Sequence, residues 1–160
     1  MNLRQLRNDL AADIRIVCKD FVLKKPLSDE SDDFIQSGLS VFEQNEPPPR
    51  MDTEGLIHPY IIVKATGGSV QGEDLEVGNI TLVIATWDDN DLSGEDDLLS
   101  IIERIKNHYL AMPILSKMFY CQRDMSYELA DEQPKPYWYA TITMSWEIPK
   151  MNIMAGAEYV

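Results

Sequence analysis

The stretch "YWYATITMSWEIP", from Tyr137 to Pro149, has the clearest structural pattern in this 160-residue chain. Its side chains alternate between an apolar and a more polar set, and the apolar set is Trp138, Ala140, Ile142, Met144, Trp146 and Ile148. Because successive side chains of a β-strand point to opposite faces, the alternation predicts one long strand with one face in the core. Pro149 ends this strand, since proline cannot donate to a sheet ladder.

Other β-rich stretches precede this strand. "HPYIIVKATGG" (58–68) is followed by "GNITLVIATW" (78–87), and neither face of the second is clearly polar, which indicates a central strand. The residues between them, "VQGEDLEVGN", are interpreted as a hairpin loop. Shorter strands are predicted around Phe119–Gln122 and Ser126–Leu129.

Two amphipathic helices are predicted from apolar residues that recur every three or four positions. The apolar stripe of the first helix is Leu3, Leu6, Leu10, Ile14 and Val17. The second helix is expected to begin with Ser93 as its N-cap, followed by acidic residues that the helix dipole favours. Its apolar face is Leu98, Ile101, Ile102, Ile105 and Tyr109.

These patterns predict an α+β fold: a single antiparallel-rich β-sheet flanked by two amphipathic helices that cover one face. Residues 1–149 form one domain, and residues 150–160 form a C-terminal tail. Residues 24–55 are expected to be a long irregular arm, because their composition is polar and Pro47, Pro48 and Pro49 exclude helix and central strand. Within it, "LSVFEQ" could form a short strand.

Charge and composition exclude several classes of protein. The formal net charge of −13 argues against a general nucleic-acid binder, which needs a basic surface. It is compatible with a wall past which DNA slides without adhering, because like charges repel. We expect a soluble intracellular domain, since the N-terminus lacks the apolar core of a signal peptide and no apolar run is long enough to span a membrane.

The acidic residues are concentrated. Residues 65–103 contain ten acidic side chains and no Lys, Arg or His. The six acidic residues between 73 and 91 are candidates for an acidic channel or docking surface: Glu73, Asp74, Glu76, Asp88, Asp89 and Asp91. A simple solvated face is the alternative interpretation of the same residues.

A calcium loop is one possible function of this acidic segment. Asp89, Asp91, Ser93 and Gly94 have the spacing that opens such a loop. The twelfth position, which should supply a bidentate carboxylate, is Ser100, and a strand rather than a helix precedes the loop. The acidic start of a helix explains the segment better, although a weak surface cation site in an assembly stays open.

No enzyme motif is present in the sequence. The two histidines, His58 and His108, stand in no recognisable catalytic pattern, and the chain contains no nucleophile elbow, metalloprotease motif or phosphate-binding loop. Cys18 and Cys121 are far apart and frame no zinc motif. We therefore expect no catalytic residue, no cofactor and no metal site.

A family resemblance appears at "EQPKPYWYATITMSWEIP" (132–149). Together with the strand "ITLVIATWDD" and the helix "GEDDLLSIIERIKNHYL", this stretch resembles the small neck and tail-completion proteins of long-tailed bacteriophages and phage-tail-like particles. The resemblance covers roughly residues 58–149. It implies a tail terminator: a virion protein, assembled in the host cytoplasm, whose hexameric ring caps the tail tube, ends polymerisation and provides the head–tail joining surface.

The resemblance also implies partners. These are other copies of the chain, the tail tube protein, the capsid connector and, in contractile tails, the sheath protein, with DNA only passing through the lumen and no membrane contact. The interface candidates, chosen from the arm, the aromatic strand and the tail, are Pro47, Pro48, Pro49, Tyr137, Tyr139, Met151 and Tyr159. The alternatives are another neck component, such as a head-completion or connector-adaptor protein, or a small intracellular protein-binding domain with an acidic face.

Overall fold

The computed structural model describes residues 2–27, 33–45, 58–72, 74–90 and 92–149. Within these ranges the chain has two α-helices and eight β-strands. Their bounds are α1 Leu3–Val17, β1 Leu23–Pro26, β2 Phe34–Ser37, β3 Ser40–Glu43, β4 Tyr60–Gln71, β5 Leu75–Trp87, α2 Asp96–Ala111, β6 Ile114–Leu115, β7 Phe119–Leu129 and β8 Tyr137–Ile148. The α+β class predicted from the sequence is confirmed.

The main sheet has six strands in the order β3-β4-β5-β8-β7-β6. All neighbouring strands are antiparallel except β3 and β4, which are parallel. The two strands with the strongest sequence patterns, β5 and β8, lie side by side at the centre, with Val83 opposite Thr141. A separate two-stranded sheet is formed by β1 and β2.

Both helices pack on one face of this sheet, which we call the inner face. The apolar stripe of α1 (Leu6, Leu10 and Ile14) and that of α2 belong to one core cluster with the apolar residues of β8. Trp146, Ile142 and Met144 are each fully or almost fully buried in that cluster. The helix-covered face therefore holds the main hydrophobic core.

Polar side chains of α1 reach both edges of the sheet. Arg15 Nη2 donates to the Val41 carbonyl of β3 at 2.8 Å, and Ser116 Oγ, between β6 and β7, donates to Asp9 Oδ2 at 2.8 Å. Since β3 and β6 are the outermost strands, these contacts hold the two edges against the same helix. In the described residues, neither helix is long and apolar enough to cross a membrane.

The segment predicted as an irregular arm (24–55) is more ordered than its sequence indicates. It contributes most of β1 and all of β2 and β3, and the short strand expected in "LSVFEQ" corresponds to β3. Each of these strands has only four residues, too few to show a hydrophobic period. Their partners supply the order, because β1 pairs with β2 and β3 adds to β4.

Three local boundaries also differ from the predictions. The hairpin loop expected at "VQGEDLEVGN" is mostly strand, since β4 continues to Gln71 and β5 begins at Leu75. The two strands expected between 119 and 129 are one strand, with an irregularity between Cys121 and Met125. The prediction of Ser93 as an N-cap is wrong: α2 begins at Asp96, with Glu95 as a cap that makes no side-chain hydrogen bond.

Candidate functional site

The candidate acidic residues lie at opposite ends of β5. Asp74 and Glu76 lie at the hairpin between β4 and β5, whereas Asp88 and Asp89 follow its last residue, Trp87. A strand of this length, 13 residues, separates the two groups by about 40 Å. The structure therefore does not bring them together as one surface. Glu73 and Asp91 lie outside the described residues.

The carboxylate of Asp88 is buried and makes its contacts within the protein. Asp88 is only 6% exposed, and its Oδ1 accepts hydrogen bonds from the Asn90 amide at 2.9 Å and from Lys24 Nζ at 3.1 Å. Lys24 also contacts Asp89 Oδ1 at 3.3 Å, and the hydrogen bond to Asp88 raises the pKa of Lys24. The expectation that Asp88 faces a channel is thus corrected: its carboxylate ties β1 to the end of β5.

The supposed calcium loop has a packing function. An added Cβ on Gly94 would overlap the indole ring of Trp138, so this glycine is required by the close approach of the turn to the ring. The same indole donates from Nε1 to the Asp88 carbonyl at 3.0 Å. Within the described ranges, no three His, Cys, Asp or Glu side chains are grouped to hold a metal ion.

The predicted interface residues Tyr137 and Tyr139 lie on the face of the sheet away from the helices, which we call the outer face. The imidazole of His58 contacts both, with ring centroids 4.8 Å from Tyr137 and 5.8 Å from Tyr139. Its Nε2 lies 3.2 Å from the Tyr139 hydroxyl, and its ring lies 4.9 Å from that of Tyr60. These rings form an aromatic cluster that continues into a small apolar cluster containing Ile62, Val83 and Ala85.

Next to this cluster the outer face contains a groove of about 240 Å³. Three side chains in a row across the sheet contribute to it, because Val83 pairs with Thr141 and Thr141 pairs with Glu128. Its lining residues are Val83, Glu128, Leu129, Ala130, Asp131, Tyr139, Ala140 and Thr141. We call this feature the outer-face groove.

The side-chain amide of Gln133 holds one wall of the groove. It donates from Nε2 to the Tyr139 carbonyl at 3.0 Å and accepts at Oε1 from the Tyr139 amide at 2.8 Å. The Ala130 amide donates to the same carbonyl at 3.1 Å. The turn after β7 is therefore bonded to β8, which fixes Ala130 and Asp131 beside Tyr139.

Two ionisable side chains of α2 lie beside one carboxylate of α1, and both thiols are buried. Tyr109 donates its hydroxyl to Asp13 Oδ2 at 2.6 Å, and burial together with this hydrogen bond raises the pKa of Tyr109. His108 Nε2 lies 3.7 Å from the same carboxylate oxygen. Burial raises the pKa of Cys18 to about 11 and that of Cys121 to about 12, so neither thiol is an activated nucleophile.

Sequence reasoning missed the groove because its acidic residues belong to a stretch without a motif. Glu128 and Asp131 stand near the end of "YCQRDMSYELADEQ", where the strand alternation stops and a turn begins. A turn between two strands that pair with each other was the available signal.

The proposed interface residues Pro47, Pro48, Pro49, Met151 and Tyr159 lie outside the described residues.

No protein-family model matches this chain, and no curated protein matches its sequence. The functional interpretation therefore rests on the sequence resemblance and on the geometry described above.

Proposed function

We propose that this chain is a structural virion protein that forms a ring on the end of a phage-type tail tube, stops tube growth and provides the head–tail joining surface. Its partners in this proposal are other copies of itself, the tube protein, the capsid connector and, in contractile tails, the end of the sheath. The proposed activity is assembly, with no chemical reaction and no cofactor.

The observation that carries the proposal is the position of the residues that resemble tail-completion proteins. The strand "ITLVIATW" is part of β5, "DDLLSIIERIKNHYL" is part of α2, and "YWYATITMSWEI" is β8. These three elements are the two central strands and a helix packed on the same sheet. The resemblance thus concerns the structural centre of the chain.

The surfaces available for assembly also support the proposal. Beyond Ala65, in the part of the chain that the structure describes, β4 pairs only with β5, and residues 66–71 form an edge that carries no charge. Val70 on this edge is 61% exposed. An open, uncharged strand edge favours pairing with another chain, which soluble monomers normally prevent with charged residues or proline.

The acidic hairpin between β4 and β5 fits the same role. Asp74 is exposed and Glu76 is half-buried. Both lie at the end of the β4–β5 hairpin, where no other described strand pairs with β4. In a ring, acidic hairpins facing the lumen would let DNA pass with little adhesion. This part of the proposal requires only Asp74 and Glu76, not the buried Asp88.

Electron microscopy of the protein mixed with purified, polymerised tail tubes from the same particle tests the proposal. We expect rings at one end of each tube, which no longer elongates when fresh tube protein is added. Tubes that stay uncapped and continue to grow would contradict the terminator function. Binding to the isolated capsid connector without any effect on tubes would indicate a different neck component.

A further inference from the structure

We propose that the outer-face groove is a docking site for an arginine side chain presented by a protein partner. The groove is lined by apolar residues, a tyrosine and two acidic residues. This inference does not depend on ring formation, because it rests on the geometry of one chain.

The charge of the groove selects a cation. Glu128 and Asp131 both line it and are both exposed, and no basic residue is among the lining residues. Among the described residues, neither carboxylate has a hydrogen-bond or ion-pair partner, whereas Asp13, Asp20, Asp88, Asp89 and Glu103 all do. Two unpaired carboxylates among the residues that line one groove favour a cationic ligand.

The apolar part of the groove selects a side chain with a long stem and a planar head. Val83 and Thr141 lie opposite each other on neighbouring strands and offer apolar surface to methylene groups, and Tyr139 also lines the groove. Guanidinium groups stack on aromatic rings and bond carboxylates through a planar fork, whereas an ammonium is a compact, strongly hydrated charge. Arginine therefore matches this lining better than lysine.

The size of the groove limits the ligand to one side chain. Its volume of about 240 Å³ is below the roughly 300–1,000 Å³ of pockets that enclose drug-sized ligands and cofactors. The groove is also preformed, because its floor lies on paired strands and Gln133 bonds its turn to β8. A preformed site binds without the cost of ordering its own walls.

Nuclear magnetic resonance titration of the ¹⁵N-labelled full chain with the peptide acetyl-Gly-Arg-Gly-amide tests the proposal. We expect saturable amide shifts at residues 83, 128–131 and 139–141, with a dissociation constant on the order of 1 mM at low salt. The citrulline peptide, which has the same shape without the charge, is expected to leave these amides unshifted. Binding is expected to weaken in high salt, because the carboxylates are exposed.

Two charge-matched variants separate the groove from general acidity. The double variant Glu128→Gln/Asp131→Asn should weaken binding about three- to tenfold, while Asp74→Asn/Glu76→Gln, which removes the same charge at the distant hairpin, should leave it unchanged. Equal weakening by both variants, shifts spread over all acidic surfaces, or no shifts would overturn the proposal. Equal affinity for the peptide acetyl-Gly-Lys-Gly-amide would overturn the assignment to arginine. None of these results bears on tube capping, so the two proposals fail separately.

Discussion

The two faces of the main sheet are built from the same strands but differ in what they present. On β8, Ile142 points into the helix-covered core and is almost fully buried, whereas its neighbour Thr143 is exposed on the outer face. The inner face is continuous and apolar under both helices. The outer face changes from an aromatic cluster around His58 to a groove with unpaired carboxylates.

This difference indicates that the inner face stabilises the fold and the outer face is available for binding. Burial of the inner face supplies the driving force for folding, because each large apolar side chain removed from water contributes roughly 1.5–3 kcal/mol. The outer face adds fewer buried contacts and carries the polar and charged groups that a partner could recognise. Changes on the inner face should therefore alter stability, and changes on the outer face should alter binding.

The largest effect is expected from a cavity on the inner face. Ile142→Ala should lower the free energy of unfolding by about 2–5 kcal/mol, because a buried isoleucine is lost from a packed core. Thr143→Ala, the next residue on the same strand, should cost less than about 1 kcal/mol. Urea unfolding followed by circular dichroism measures both. Similar losses for the two variants would contradict the assignment of the faces.

A second effect is expected where the turn after β5 packs against Trp138. Gly94→Ala should destabilise the protein by about 1–3 kcal/mol, because the added methyl group overlaps the indole ring and forces the turn to move. Gly38→Ala is the control, since an added Cβ there meets nothing within 4 Å. Thermal unfolding should separate the two variants. An unchanged melting temperature for Gly94→Ala would show that this turn is not packed as described.

The buried thiols predict a dependence on pH. Burial raises the pKa of Cys18 to about 11 and that of Cys121 to about 12, against about 8.5 in an unfolded chain. The folded state therefore keeps protons that the unfolded state loses, so stability should fall as pH rises above about 8.5. The limiting slope is about 1.4 kcal/mol per pH unit for each thiol.

Urea unfolding between pH 8 and pH 9.5 measures that slope. The double variant Cys18→Ala/Cys121→Ala should show a shallower decline than the parent chain, whatever its absolute stability. Equal slopes would mean that the thiols are accessible to solvent in the folded protein, contrary to their burial in the core cluster.

The smallest effect is expected at the wall of the groove. Gln133→Ala removes two hydrogen bonds to the backbone of Tyr139 and should cost about 1 kcal/mol. Hydrogen exchange should accelerate at the Tyr139 amide, and the arginine peptide should bind more weakly. Gln44→Ala is the matched control, because Gln44 makes the same pair of bonds to Ala65 at the opposite side of the sheet. Unchanged exchange at Tyr139 would show that Gln133 does not hold the groove.

The long segments with a regular hydrophobic pattern could be predicted from the sequence. The alternation along β8 and the spacing of apolar residues in both helices correctly assigned the buried residues Trp138, Ile142 and Trp146. These segments are long enough for one face to be apolar throughout, so their pattern reports burial directly. The central position of β5 followed from the absence of a polar face on that strand, whereas its pairing with β8 was not predicted.

Features that depend on contacts distant in sequence could not be predicted. Ser93 has the residue type and position of an N-cap, but the helix begins only at Asp96. The residue after Ser93, Gly94, belongs instead to a turn that packs against Trp138. Asp88 resembles the other acidic residues until Lys24, 64 residues earlier, is placed beside it. The groove likewise combines residues from β5, β7 and β8 with a turn, and no local pattern signals that arrangement.

The length of growing tail tubes tests the central proposal most directly. Tube protein would be polymerised from a nucleated start while this chain is added at increasing ratios, and tube lengths would be measured by electron microscopy. We expect tubes to stop at shorter lengths as the ratio rises, each with a ring at its growing end. We expect Ile142→Ala to lose this effect only in proportion to the fraction of the protein that is unfolded. Tube lengths that do not change at any ratio of folded protein would contradict the terminator function.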